Sequence, residues 1–229
     1  PGKGEPVSNG TVILDGDTIV YAGPAAGAPP PSPNDDEVAV PAVMPGMWEA
    51  HGHFIGSPVA DLEYMATADP GSLYARATAD VAATLDGGVT SVREVGGLGV
   101  SLKPVIDEGT IRGPHIYPAG SVLSTTGGHA DIHGLPLDFV HGLEERGFRF
   151  SQLADGGPEC LLAVRKQLRL GASVIKICAS GGVLSEVDHP IHQQFSHEEL
   201  VAIVEEAGRA ERYVAAHCHG EPGIVAALK

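Results

Sequence analysis

The sequence predicts an α/β fold of the (β/α) barrel type behind a small β-rich N-terminal segment. After residue 53 short apolar runs alternate with helical stretches, a pattern typical of right-handed βαβ units and a parallel sheet. The candidate ligands also fall at or just beyond the C-terminal ends of the predicted strands, where barrels of this type carry their active sites. A Rossmann-type sheet is the alternative, but no Gly-X-Gly-X-X-Gly follows the first strand.

The N-terminal segment, residues 1–43, is predicted to form part of a small β domain. Residues 10–23 hold two β-branched runs around Asp15-Gly16, which is the signature of a hairpin. The Pro- and Ala-rich residues 24–36 predict an irregular excursion, and residues 38–40 resume an extended run. Residues 44–229 are assigned to the barrel.

Within the barrel segment, strands and helices are predicted in alternation after the first strand. The strands are short and rich in apolar or β-branched residues: 89–95, 114–120, 172–179 and 213–217. The helical stretches are 73–85, 100–107, 158–170, 196–212 and 221–229. Gly87-Gly88 predicts the end of the first helix, and Ser196 with Glu199 predicts a capping box at the start of the fourth.

Composition excludes several functional classes. The 229 residues include 14 Lys and Arg against 29 Asp and Glu, a net charge of -15 that argues against a nucleic-acid partner. No apolar run approaches the roughly 20 residues that span a bilayer, and no signal-peptide pattern opens the chain. Three scattered cysteines, Cys160, Cys178 and Cys218, predict free thiols in a reducing compartment, so we expect a cytoplasmic protein.

His51 and His53 are the first candidate metal ligands. Alternate side chains of a strand share a face, and Gly52 between them lets the backbone pass close to whatever the imidazoles hold. Two neutral imidazoles on one face suit zinc or a similar divalent metal. A His-X-His pair also arises by chance or on a surface, so the pair needs support from elsewhere in the chain.

Lys176 and His217 supply that support from two further strands. Lys176 lies mid-strand among apolar residues, where burial would lower its pKa and favour covalent chemistry or a carbamate formed with CO2. An edge strand with an exposed lysine is the alternative. His217 ends an apolar strand, and His219 shares its face as a second ligand or a substrate contact, although a lone histidine is also a common core residue.

Several motifs together resemble the amidohydrolase superfamily, in the branch with imidazolonepropionase-like proteins, Xaa-Pro and Xaa-Arg dipeptidases and fungal ochratoxinases. In chain order they are His51-Gly52-His53 after Pro45-Gly46, Thr90-Ser91-Val92-Arg93-Glu94-Val95-Gly96-Gly97, Ser124-Thr125-Thr126-Gly127-Gly128-His129, Val174-Ile175-Lys176 before Ser180-Gly181-Gly182-Val183, and Ala216-His217-Cys218-His219-Gly220. The resemblance implies a small β-sandwich, partly built from the N-terminal segment, beside a (β/α)8 barrel.

The resemblance also implies a metal site. His51 and His53 match the pair that binds the more buried metal, and His217 matches a ligand of the second metal. Lys176 matches the lysine that is carboxylated in binuclear members and bridges the two ions. The implied cofactors are therefore two divalent ions, expected to be Zn²⁺, and a CO2-derived carbamate on Lys176.

For the substrate, the resemblance implies contacts beyond the metal ligands. His129 matches a substrate-facing histidine in the loop after the third strand, and His219 is a further candidate contact. Arg93 is a third, with an interior ion pair to Glu94 or another acid as its alternative. Residues 180–185 are small and form either a loop that approaches the substrate or a simple turn.

The chain departs from the family pattern at its C-terminal end. A histidine after strand six and an aspartate after strand eight, the expected general base, would lie beyond Lys229, so we expect a fragment with about five βα units. No motif match lets Asp188, His189 or His192 replace that aspartate. We expect the 229 residues alone to be inactive and prone to associate, and the full-length parent to be a homo-oligomer.

The predicted function of the intact protein is metal-dependent hydrolysis of amide bonds, in dipeptides or N-acyl amino acids, with a small-molecule substrate as its partner. Lactone, ester or organophosphate hydrolysis at the same site is the alternative. A catalytically inactive scaffold is the alternative from another class. A downstream strand ending in His and a later one ending in Asp would identify the protein as an enzyme and exclude the inactive scaffold.

Overall fold

The structure is a computed structural model that describes residues 4–183 and 187–229. The chain divides into two compact units, one reaching to Gly46 and one spanning Met47–Lys229. The first unit holds an antiparallel hairpin of β1 (Gly10–Asp15) and β2 (Thr18–Pro24), followed by a 3-10 turn at Ala25–Gly27. The predicted hairpin is confirmed, while the β-sandwich around it stays a prediction.

The second unit contains seven strands in the residues that the structure describes, and all their pairings are parallel. They are β3 (Met47–Gly52), β4 (Val89–Glu94), β5 (His115–Pro118), β6 (Val122–Ser124), β7 (Ser151–Leu153), β8 (Ile175–Cys178) and β9 (Val214–His217). One sheet has the order β3-β4-β5 and the other β7-β6-β8-β9. The α/β class with parallel sheets is therefore confirmed, and closure into a barrel stays a prediction.

Helices connect these strands. They are α1 (Leu62–Thr67), α2 (Pro70–Asp86), α3 (Gly99–Asp107), α4 (Leu137–His141), α5 (Gly156–Arg169), α6 (His197–Arg209) and α7 (Glu221–Leu228). The predicted capping box is present, because the Ser196 hydroxyl accepts from the Glu199 N–H and the Glu199 carboxylate accepts from the Ser196 N–H. Helix α2 begins before the predicted residue 73, since Asp69 caps it and Pro70 suits its first turn.

Four short elements, β6, β7, α1 and α4, were not expected from the sequence. The predicted strand over 114–120 ends at Pro118. After three intervening residues β6 begins, and it pairs with β7 and β8 and not with β4. The chain turns between them at Gly120, whose φ is +74°. The Gln167 side chain accepts a hydrogen bond from the Ser121 N–H at 2.9 Å, so a contact from helix α5 stabilises this turn.

The core lies between the outer sheet faces and the helices. Ile175 and Ile177 of β8 pack into one buried cluster with residues of α5 and α6. Val92 of β4 and Ile116 of β5 pack into another with residues of α2 and α3. Successive side chains of a strand point to opposite faces. Residues next to these core positions, such as Arg93 and Lys176, therefore face the other way, and they include candidate site residues.

No helix among residues 4–183 and 187–229 is both long enough and apolar enough to cross a membrane.

Candidate metal centre and substrate site

The His51 and His53 imidazoles lie together at the C-terminal end of β3. Their ring centroids are 5.2 Å apart in an edge-to-face arrangement. An added Cβ at Gly52 would lie 2.9 Å from Val92 Cγ1, so only glycine lets the strand pass this close to β4. The sequence correctly predicted that the two imidazoles would be neighbours.

A backbone hydrogen bond fixes the orientation of the His53 ring. Its Nδ1 lies 2.8 Å from the Gly96 carbonyl oxygen, which can only accept, so Nδ1 carries the proton. The ring also packs against Phe150 at 5.7 Å between centroids. Burial lowers the pKa of His53, although the Gly96 bond opposes this effect. A neutral ring with Nδ1 held by a carbonyl leaves Nε2 available as a ligand, as in metal-binding histidines.

Lys176 is buried, with 4% of its surface exposed. Its strand, β8, lies between β6 and β9, so the alternative of an exposed lysine on an edge strand is wrong. Burial lowers the pKa of Lys176, and the positive charge of Arg93 lowers it further. Within the described residues its amine forms no hydrogen bond or ion pair. The buried amine is therefore more easily deprotonated than an exposed one, and its lone pair and N–H groups are not engaged by the described residues.

His217, at the end of β9, presents a buried ring nitrogen that lacks a partner. Its Nε2 is enclosed without a hydrogen bond in the part of the chain that the structure describes. Burial, followed by the charges of His129 and Lys176, lowers the pKa of His217 to about 4. Leaving a buried polar atom unpaired costs free energy, which a bound ligand would recover. A neutral imidazole of this kind fits a metal ion.

Stacked rings connect His217 to the two predicted substrate histidines. The His129 ring lies 4.5 Å from it with an interplanar angle of 25°. The His219 ring meets it edge-on at 4.7 Å. His219 is also held by its backbone N–H, which donates to the Ser180 hydroxyl at 2.8 Å. The three imidazoles thus form one continuous surface, and their substrate roles stay predictions.

The loop after β8 holds His129 in position. The backbone N–H of His129 donates to the side-chain oxygen of Gln194, a residue of this loop, at 3.1 Å. The Asp188 carboxylate accepts from the Gly182 N–H and from the Gln194 amide, both at 3.0 Å. Burial lowers the pKa of His129, and the Asp188 charge opposes that shift. Gln194 was missed by sequence reasoning, and no motif signals it. Residues 184–186, within the predicted small-residue loop, lie outside the described residues.

Arg93 and Glu94 lie on opposite faces of β4. Arg93 is exposed, and its Nε donates to the Ala50 carbonyl oxygen at 2.7 Å. It forms no ion pair within the described ranges, so the alternative of a pair with Glu94 is wrong for a geometric reason: adjacent strand residues point apart. The substrate role of Arg93 stays a prediction.

Glu94 is a fully buried carboxyl group that sequence reasoning considered only as a partner for Arg93. Its Oε1 accepts a hydrogen bond from the Gly99 N–H at 3.3 Å, and its Oε2 is buried without a partner in the described residues. Burial raises the pKa of Glu94 to about 8, although the nearby backbone N–H groups of Gly99, Phe54 and Gly96 oppose this shift. An acidic residue in an apolar run before Gly96-Gly97 was the available signal.

The ligand candidates are electrostatically coupled. Burial is the main cause that lowers the pKa of four histidines, and the positive charge of Lys176 adds to it in each, which places each of them near Lys176: His51, His53, His129 and His217. Among residues 4–183 and 187–229, however, no three His, Cys, Asp or Glu side chains form a group able to hold a metal. The donors that do come together are the His51–His53 pair on one side and His217 on the other, with the Lys176 amine coupled to both.

Comparison with known proteins gives consistent matches. The profile of the amidohydrolase family matches residues 42–229. Ochratoxinase from Aspergillus niger is 40% identical over 241 residues, covering 100% of this chain and 50% of that protein. The chain thus spans about half the length of the curated relatives it matches.

Solved structures match equally well. The crystal structure of A. niger ochratoxinase has a TM-score of 0.91 and 40% identity, with 100% of this chain and 55% of that chain covered. A prolidase complexed with N-methylphosphonate-L-proline has a TM-score of 0.86 and 37% identity, with 95% and 53% covered. A Xaa-Pro dipeptidase with methionine bound in its active site has a TM-score of 0.78 and 30% identity, with the same coverage.

Proposed function

Since the chain belongs to the amidohydrolase family, we propose that the full-length protein hydrolyses amide bonds in dipeptides or N-acyl amino acids with the help of divalent metal ions. The observation that carries the proposal is the buried Nε2 of His217, which has no hydrogen-bond partner within the described residues. The prolidase and the Xaa-Pro dipeptidase among the similar structures support a dipeptide as the substrate class.

Four side chains would hold the metal ions. His51, His53 and His217 would bind through neutral imidazole nitrogens, and their lowered pKa values keep them neutral at physiological pH. Two zinc ions fit the donor types, because imidazole suits zinc. When bound, the ions would supply Lewis acidity and an activated water.

Lys176 would act as the bridge between the two ions after carboxylation. Its amine nitrogen would bond to the carbon of CO2 and release one proton, leaving a carbamate with two oxygens. Burial favours this reaction because it lowers the pKa of the amine and so raises the fraction of neutral nucleophile. The absence of any hydrogen bond to the amine within the described residues leaves it free to react.

His129, Arg93 and His219 would contact the substrate. The His129 ring is held from behind by Gly182, where an added Cβ would fall 1.9 Å from ring atom Cε1. This packing orients the ring beside His217. Arg93 presents an exposed cation that suits a substrate carbonyl or carboxylate. We expect the full-length protein to be a cytoplasmic homo-oligomer.

Lys176→Ala in the full-length protein tests the proposal. We expect it to lose one metal ion per subunit and most activity on a panel of dipeptides and N-acyl amino acids, with partial rescue by short carboxylic acids that replace the bridging oxygens. Lys166→Ala, at an exposed position on α5, is the matched control. Full metal occupancy in Lys176→Ala would exclude the bridge, and inactivity of the wild type with bound metal on the whole panel would exclude the substrate class.

A further inference from the structure

A cavity of about 380 Å³ lies beside the candidate metal centre in the second unit. It is lined by helix α1, the first turns of α2, the loops after β3 and β4, and the segment 139–150. Ligand sites in proteins occupy a similar range of volumes and are mostly apolar with a few polar groups. The loops after β3 and β4 lie at the same edge of the sheet as His51 and His53. The cavity is therefore at the C-terminal end of the strands, where the candidate metal ligands lie.

The cavity walls are predominantly apolar and aromatic. The lining includes three phenylalanines and two large aliphatic side chains: Phe139, Phe148, Phe150, Met65 and Leu73. Met65, Leu73 and Phe148 are buried, so these walls belong to the packed interior rather than to a mobile surface. A compact apolar group of a ligand would gain from displacing water along these side chains.

Two arginines are the only charged residues among those that line the cavity. The Arg146 guanidinium carbon lies 4.3 Å from the centre of the Phe139 ring, a cation–π contact that keeps it at the wall. Arg149 is half-buried and forms no hydrogen bond or ion pair within the described part of the chain. In a protein with 29 acidic residues, two arginines without an acidic partner at one cavity indicate a site for an external anion.

A single aromatic side chain, Phe150, lies between the cavity and His53, one of the metal-ligand candidates. Phe150 lines the cavity and packs against His53 at 5.7 Å between ring centroids. Gly97 also lines it, and an added Cβ there would lie within 2.3 Å of Glu94 Oε1. A ligand in the cavity would therefore contact Phe150, which packs against His53, and Gly97, which follows the residue whose carbonyl orients that ring.

We propose that this cavity binds a small carboxylic acid with a compact apolar body. The body lies against the Phe139, Phe148 and Phe150 rings, and the carboxylate accepts hydrogen bonds from the Arg149 guanidinium. Arg146 adds positive charge at the same wall. Charge-assisted bonds of this kind are stronger than neutral ones, so the carboxylate distinguishes the ligand from an alcohol of the same shape. The acid has two possible sources: one end of the amide substrate, or a separate molecule.

Isothermal titration of the full-length protein with 3-phenylpropanoate tests the binding. We expect saturable binding that is weaker by about tenfold or more for 3-phenylpropan-1-ol and for the Arg149→Gln variant, the size expected for losing hydrogen bonds to a charged group. Arg169→Gln, at an exposed position of α5, should bind like the wild type. Equal affinities for acid and alcohol, or equal effects of the two arginine variants, would overturn the proposal.

Filling the cavity provides a second test that does not depend on the arginine. Ala66→Phe on α1 places a ring in the cavity and should abolish binding, whereas Ala75→Phe on the exposed side of α2 should not. Circular dichroism and a thermal melt would establish that both variants fold. Full binding by a folded Ala66→Phe protein would show that the acid binds elsewhere.

Inhibition kinetics distinguish the two sources of the acid. If 3-phenylpropanoate inhibits amide hydrolysis competitively, the natural occupant is the acid end of the substrate, a conclusion that rests on the proposed function. Any other pattern identifies a separate acid as the occupant. Because titration requires no turnover, failure of the proposed function leaves the binding result intact.

Discussion

Replacing Glu94 by glutamine should remove a large part of the pH dependence of folding stability. The Glu94 carboxyl is fully buried at the end of β4, and burial raises its pKa from 4.5 to about 8. The folded protein therefore retains a proton that the unfolded chain releases. The associated stability is fully present below the unfolded-state value of 4.5 and is lost as the pH rises through about 8.

The size of this effect follows from the pKa difference. A shift from 4.5 to about 8 is roughly 3.5 units, and each unit corresponds to about 1.4 kcal/mol. The wild type should therefore lose roughly 4 to 5 kcal/mol of unfolding free energy between about pH 4.5 and pH 8 through this one residue. That loss is a large share of the roughly 5 to 15 kcal/mol that keeps a protein folded.

Denaturant unfolding of the full-length protein from pH 5 to pH 9 measures the effect. Glutamine has the shape of the protonated carboxyl and still accepts the Gly99 N–H, so the variant and the wild type should differ little at pH 5. At pH 8.5 Glu94→Gln should be more stable by several kcal/mol, while Glu205→Gln, on the exposed face of α6, should follow the wild type. A difference between variant and wild type that is constant with pH would refute the reasoning.

Three further variants test the site and the fold. His129→Asn should reduce turnover on dipeptides with unchanged metal content, and equal activity would remove its substrate role. Gly182→Ala should reproduce that loss, because its Cβ would fall 1.9 Å from the His129 ring, whereas Gly208→Ala, with open space around it, should not. Ser196→Ala should cost about 1 kcal/mol of unfolding free energy by removing the cap of α6, without changing kcat, and a stability equal to the wild type would show that the cap is not needed.

The sequence predicted the strand faces of the candidate side chains correctly, because strand alternation is a strong signal. Ile175 and Ile177 on one face of β8 require Lys176 on the other, and the structure buries all three. The same alternation makes neighbours of the His51 and His53 rings. The faces of these side chains could therefore be predicted without any knowledge of the tertiary contacts, while their roles as ligands stay predictions.

The short elements escaped prediction because they contain too few residues to show a period. Strands β6 and β7 have three residues each, and helices α1 and α4 have six and five. The break between β5 and β6 depends on Gly120 and on the Gln167 side chain, which comes from helix α5. Such a contact between distant residues leaves no local pattern in the sequence.

Orientation of the ligands is the property that only the structure supplies. His53 is a ligand candidate by its position, but its available nitrogen is set by the Gly96 carbonyl, 43 residues away in the chain. Gly96 adopts φ +133°, and an added Cβ would lie 2.6 Å from Val122 Cγ2, so glycine is required to aim that carbonyl. Glu94, two residues earlier, accepts the Gly99 N–H, so its side chain ties the end of β4 to the start of α3. The Gly96 carbonyl, in the segment that Glu94 anchors, therefore sets the orientation of a histidine that we propose as a metal ligand, although neither residue is itself a ligand candidate.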